Sequence, residues 1–133
     1  MDKYNVLRLE NQLCFPLYAA AKEVVRLYTP HLNNLGLTYT QYIVMMGVWE
    51  QGEVIVKDLG KRIFLDTGTL TPLLRKLQDK GLISLGKHEG DRRSIIVLPT
   101  NKGMALRDEA LEIPAKVGAC VPIAPDEAQQ LYT

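Results

Sequence analysis

Residues 57–98 read KDLGKRIFLDTGTLTPLLRKLQDKGLISLGKHEGDRRSIIVL, and a change of period inside this stretch decides the fold. Apolar residues at Val56, Leu59, Ile63 and Phe64 fit a short helix of one or two turns. Asp66-Thr67-Gly68-Thr69 offers a fresh N-cap, and Leu70, Leu73, Leu74 and Leu77 then carry a helix as far as Gly81. Arg75, Lys76 and Lys80 are left on its outer face, and Pro72 falls in about the first turn, where a missing amide costs little. After Gly81 the period becomes two. Leu82 to Leu85 and the β-branched run Ser94 to Leu98 flank the turn-rich His88 to Arg93, which predicts a two-stranded hairpin with a charged tip.

Outward from this centre the chain reads as helix. Leu7 to Tyr28 places Leu9, Leu13, Leu17, Ala20, Val24 and Leu27 at helical spacing, and Pro30 is expected to close that helix. Pro16 predicts a kink or a late start near Cys14, because an interior proline removes a backbone bond. Asn33 to Gly36 forms a turn, Thr38 or Thr40 caps a helix running through Trp49, and Gln51-Gly52 stops it. Beyond the hairpin, Thr100 caps a helix through Ala110, Pro114 interrupts it, and a last segment begins at Asp126. The resulting fold class is mainly α with a small β-hairpin: a winged helix-turn-helix over about 38–99, flanked by dimerisation helices over about 5–30 and 100–133, within one domain of residues 1–133. A dimer is the natural use of the flanking helices, since such readers bind two half-sites about one helical turn of DNA apart.

A chain of 133 residues, 47% hydrophobic and 23% charged, has room for one core and little for separate cofactor and substrate lobes. Its formal charge of +1 hides a local field. Residues 57–93 hold nine Lys or Arg against five Asp or Glu, an excess of four, and the flanks are acidic. Two cysteines do not make a secreted disulfide framework, and no signal-like segment is read at the start, so a reducing cytoplasm is expected. No apolar run approaches the roughly 20 residues that cross a bilayer. His31, His88, Cys14 and Cys120 form no metal-ligand spacing, and no glycine-rich phosphate loop is present, so neither metal nor cofactor is expected.

The basic centre reads as a surface for double-stranded DNA. Thr67, Thr69 and Thr71 open the second helix with hydroxyls suited to base edges and phosphates. Arg75 and Lys76 follow, while Arg92 and Arg93 crown the hairpin, where a guanidinium enters a narrow minor groove or clamps a phosphate. Asp91 stands two residues before Arg93 and can hold it in pose. A solvated cationic face is the ordinary reading of each alone, and their succession on adjacent elements favours DNA.

Cys14 would by default be a small buried hydrophobe. Against that default stands a chain with six tyrosines and two phenylalanines, rich in hydroxyls able to stabilise a reactive thiol. Tyr18 lies one turn from Cys14 on the same helix face. Tyr28 is fourteen residues away, about 21 Å along a continuous helix, and cannot touch its own Cys14. Two such helices crossing antiparallel in a dimer permit Tyr28, with Tyr39, to reach the partner's thiol.

The runs NQLCFPLYAAAKE, LYTPHL, LTYTQYIVMMGVWE, KDLGKRIFLDTGTLTPLLRKLQDKGLI and GDRRSIIVLPTNKG resemble the organic-hydroperoxide-sensing repressors of the MarR family, from about Leu9 to Cys120. The phrases around Cys14 and LDTGTLTPLL are specific to that subgroup, whereas the wing D-x-R marks the wider family. The resemblance implies a homodimeric repressor, not an enzyme, with Cys14 oxidised by organic hydroperoxide and with Tyr28 and Tyr39 hydrogen-bonding that thiol across the dimer. Cys120, within IPAKVGACV, is similar to the second cysteine of the two-cysteine type, which implies an intersubunit disulfide that releases DNA. This chain departs from the pattern at Pro16, where a small residue is usual, and at Thr67, where serine is commoner. Relatives also run on for a further helical stretch past the position of Thr133. Two other readings stand beside this one: a MarR-type repressor released by a small anionic or phenolic ligand, and a small thiol peroxidase.

Overall fold

The computed structural model describes residues 2–90 and 93–133. Two short 3-10 turns, Lys3–Leu7 and Leu9–Asn11, precede helix α1, Cys14–Asn33. The helix expected from Leu7 is therefore broken before Cys14. Side-chain amides explain the break: Asn11 Nδ2 donates to the Asn5 carbonyl, and Gln12 Nε2 donates to those of Val6 and Arg8, competing with helical bonding. Pro16 is the third residue of α1, where an amide has no intrahelical acceptor, and this matches the late start. Pro30 does not close the helix, contrary to expectation. The helix passes through it to Asn33 because Leu32 is buried at 1% exposure and holds the last turn against the core.

Helix α2, Tyr39–Gln51, begins with a capping box. Gln41 N donates to Thr38 Oγ1 at 3.2 Å, and Thr38 N donates to Gln41 Oε1 at 3.1 Å. Thr38 is thus the cap, and Gly52 at φ 75° ends the helix. A short strand β1, Val54–Ile55, follows, then α3, Val56–Ile63, and α4, Thr67–Asp79. Pro72 is the sixth residue of α4, deeper than its expected place in about the first turn. It faces solvent, and the carbonyl it leaves unbonded belongs to exposed Gly68.

Strands β2, Ile83–Lys87, and β3, Ile95–Pro99, form the expected hairpin, with Leu85 opposite Val97. Strand β1 adds a third member through Val54 opposite Val97 and Ile55 opposite Ile96, giving the order β1-β3-β2. Two residues are too few to show alternation in a sequence, so this strand is an addition to the hairpin reading. Helix α5, Asn101–Ala110, is capped by Thr100, whose Oγ1 accepts from Gly103 N. Helices α6, Ile113–Gly118, and α7, Pro125–Tyr132, complete the chain.

One core joins these parts. Met45 and Val48 of α2, Leu59 of α3, Leu70 and Leu77 of α4 and Val97 of β3 are all fully buried. Trp49 Nε1 donates to the Gly103 carbonyl at 3.0 Å, tying α2 to α5. Gly103 lies so close to the start of β2 that any Cβ would collide with the Leu82 carbonyl oxygen. The winged helix-turn-helix is thereby seated on α1, α5 and α6. Among the described residues no helix is long and apolar enough to cross a membrane.

Candidate functional site

The start of α4 is built by Asp66. Its Oδ1 accepts from Thr69 N at 2.7 Å, and the backbone and hydroxyl of Thr69 hold this carboxyl below the usual carboxylate range. The cap fixes which threonines face outward. Thr67 and Thr69 are exposed, whereas Thr71 is half-buried and its hydroxyl turns back to the Thr67 carbonyl at 2.8 Å. Arg75 and Lys76 are exposed further along the helix. Lys80, read with them as part of the outer basic face, is otherwise engaged: its ammonium donates to the Gly36 carbonyl and to Gln41 Oε1. It braces the α1–α2 turn.

Arg93 is exposed at the root of the wing, and it shares a cleft of about 260 Å³ with Thr67. The structure therefore brings the helix start and the wing to one surface. Asp91 and Arg92 lie outside the described residues.

Cys14 is the first residue of α1 and is exposed, as is Tyr18 one turn on. The default expectation of a buried cysteine does not hold. Around it lies apolar surface with no cover: Leu13 is 79% exposed, Leu17 65% and Phe15 42%. Cys120 is also exposed and unbridged, just past the end of α6, with its Sγ directed to the Lys116 carbonyl at 3.5 Å.

Tyr28 sits near the far end of α1 from Cys14, and the unbroken helix between them keeps the two apart within one protomer. It packs on Tyr39 from the start of α2, with ring centroids 4.9 Å apart. Tyr42 joins both, at 5.8 Å from Tyr28 and 6.4 Å from Tyr39. Burial, reinforced by neighbouring phenols, pushes all three hydroxyls above their ordinary pKa of 10.0. They are held as neutral phenols. Tyr42 is not among the residues singled out in the sequence, although its spacing of three from Tyr39 places it on the same helix face. Tyr132 of α7 also comes near enough to act on Tyr28 and Tyr39, and nothing in its local sequence signals this.

The model of the transcriptional regulator SarA/Rot family matches residues 26–110. The organic hydroperoxide resistance transcriptional regulator of Bacillus subtilis is 40% identical over 116 residues, covering 87% of this chain and 79% of that protein. The HTH-type transcriptional regulator SarZ of Staphylococcus haemolyticus is 39% identical over 123 residues, covering 92% and 84%. Among solved structures, reduced AbfR bound to DNA is similar with a TM-score of 0.80 and 29% identity, over 98% of this chain and 91% of that one. AbfR, from Staphylococcus epidermidis, in its disulfide form gives a TM-score of 0.64 at 28% identity, over 98% and 87%. With its winged helix-turn-helix and shared core, the chain belongs to the MarR/SarA family of winged-helix transcriptional regulators and is similar to the organic hydroperoxide resistance regulators.

Proposed function

We propose that this protein is a homodimeric, thiol-switched repressor that leaves its operator when organic hydroperoxide oxidises Cys14. The observation that carries this reading is the exposure of Cys14 on an uncovered apolar face while Tyr28 and Tyr39 stand as neutral phenols near the other end of the same helix. An antiparallel pairing of two α1 helices brings each thiol to the partner's phenols.

In the first step the Cys14 sulfur attacks the terminal peroxide oxygen, the O–O bond breaks, and the products are a sulfenic acid and the alcohol. Tyr28 and Tyr39 of the facing protomer donate to the reacting oxygens. In the second step the Cys120 thiol of the other subunit attacks the sulfenic sulfur, an intersubunit disulfide forms, and water leaves. That bond pulls on α1 and α6 and changes the separation of the two winged domains, so both half-sites cannot be gripped together. Thr67 and Thr69 face base edges, Thr71 stiffens the helix start, and Arg75 and Lys76 meet phosphates. On the wing, Arg92 and Arg93 reach the minor groove, with Asp91 orienting Arg93. AbfR gives the disulfide step a precedent, since it has been captured on DNA when reduced and also with a disulfide formed.

Operator retention before and after cumene hydroperoxide, for wild type, Cys14→Ser and Cys120→Ser, tests the reading. Wild type is expected to release, Cys14→Ser to stay bound, and oxidised wild type to run as a dimer on a nonreducing gel. Release of Cys14→Ser by peroxide, or absence of the dimer band, rejects the scheme.

A second reading is supported by a pocket of about 550 Å³ between the α1–α2 turn, the end of α4 and α5, which Lys80 and Lys102 line together with one carboxylate, Glu109. A small anionic ligand there would release DNA without cysteine chemistry. The Lys80 ammonium, however, already serves Gly36 and Gln41, and that of Lys102 the Lys80 carbonyl. Release of Cys14→Ser by salicylate would favour this reading over the thiol switch.

A further inference from the structure

We propose that Lys80 is the joint through which oxidation of the cysteines reaches helix α4: its ammonium holds the α1–α2 corner and its carbonyl holds α5. This rests on the thiol-switch reading and adds to it the residue that passes the movement on.

Helix α1 runs unbroken from Cys14 to Asn33, a rod of about 30 Å at 1.5 Å per residue. A displacement imposed at Cys14 therefore arrives at the far end of the rod. There the chain turns through Gly36, at φ 70°, and α2 begins at Tyr39. The Lys80 ammonium binds this corner twice, donating to the Gly36 carbonyl and, at 2.8 Å, to Gln41 Oε1. Gln41 is the one buried polar side chain among the described residues, 3% exposed, and the same oxygen accepts from Thr38 N at 3.1 Å. An amide oxygen has two lone pairs, so Lys80 and Thr38 fill it between them.

The second arm comes from Cys120. Helices α6 and α5 lead back from it to Thr100, whose Oγ1 donates to the Gly81 carbonyl at 2.6 Å. One turn into α5, Lys102 Nζ donates to the Lys80 carbonyl at 2.9 Å. Lys80 is itself the C-cap of α4. Two segments, each leading to one of the two cysteines, thus converge on the same end of the same helix.

What these bonds add to the packing is direction. Leu70, Leu74 and Leu77 hold α4 on the core by apolar contact, which is non-directional. Hydrogen bonds depend on both distance and angle, so a displaced corner draws the end of α4 with it.

The test is the ratio of operator dissociation constants, oxidised over reduced, measured by fluorescence anisotropy on the full chain. The operator is one selected by the reduced protein from a random pool, and the oxidant is cumene hydroperoxide. Lys80→Met keeps the stem and removes the donors. It is expected to bind the operator when reduced, to form the sulfenic acid and the intersubunit disulfide as wild type does, and to show a ratio about two- to thirtyfold smaller. Lys80→Arg, which keeps a cation with donors, should recover part of the ratio, and Lys102→Met, which cuts only the second arm, should lose part of it. A wild-type ratio in disulfide-bonded Lys80→Met overturns the joint. So does a fall of about one in the slope of log affinity against log salt for reduced Lys80→Met, which would make the ammonium a phosphate contact. Should circular dichroism show Lys80→Met unfolded, a wild-type ratio in Lys102→Met overturns the convergence of the two arms. Oxidised wild type that keeps its operator removes the thiol-switch reading itself, an outcome distinct from an unchanged ratio in a chain that does release.

Discussion

Tyr39 is the residue at which the stability of the fold and the proposed chemistry meet. Its hydroxyl is pushed above 10.0 chiefly by burial and then by Tyr28, so the folded state holds the proton more tightly than the unfolded chain does. The stabilisation linked to this proton is complete below about pH 10 and is lost as pH rises from there through the raised folded value. Urea denaturation between pH 8 and pH 11 should show wild-type stability falling with that sign, and Tyr39→Phe should fall less steeply over the same window. An identical slope in the variant would mean that Tyr39 ionises alike in both states. Below pH 10 the same phenol stays a donor, so Tyr39→Phe should slow sulfenic acid formation by about ten- to a hundredfold, the value of one hydrogen bond to a charged group. Stopped-flow oxidation with a sulfenic-acid trap reads this. Cys14, Tyr28 and Tyr39 stand out in the sequence through the resemblance that their flanking runs carry. Tyr42 does not, because a buried tyrosine within α2 has the same spacing as any core residue of that helix.

At the scale of elements, caps and close approaches decide what the hydrophobic pattern leaves open. Thr38, Asp66 and Thr100 each accept a backbone amide three residues on, and all three helix starts were readable because that chemistry is local. The end of α1 was not readable, since burial of Leu32 outweighs the bond lost at Pro30 and burial depends on distant parts of the chain. Thr38→Ala should cost about 1 kcal/mol in chemical denaturation, because it breaks half of a reciprocal cap. Gly103→Ala should cost more, about 1–3 kcal/mol, because the new methyl group meets the rigid Leu82 backbone rather than a side chain that can rotate. If Gly103→Ala matched wild type in denaturation, α5 could slide on β2, and the tie from Trp49 would not fix the platform under the wing.

For the molecule as a whole, the decisive quantity is how much apolar surface one protomer leaves uncovered. Leu13, Leu17 and Tyr18 at the start of α1 and Leu111, Ile123 and Leu131 in the C-terminal helical region are each exposed by 46% or more. A stable dimer buries about 1,200–2,000 Å² in total, and its centre is more apolar than ordinary surface. The sequence showed that α1 was amphipathic but could not show that the first turns of its stripe face outward while Leu27 packs on the core, since both arrangements have the same period. Leu17→Glu places a charge in that stripe at a side chain 65% exposed in the protomer, so the protomer's own fold should survive while pairing fails. Sedimentation should then show a monomer with wild-type circular dichroism. Operator binding should weaken sharply, because each reading head must find its half-site alone, whereas the weak binding of one head to unrelated DNA should change little. Peroxide should still convert Cys14 to sulfenic acid, but more slowly without the partner's phenols, and no intersubunit disulfide should appear. A Leu17→Glu chain that sediments as a dimer would remove this face from the interface, and with it the geometry that carries Tyr28 to the partner's thiol.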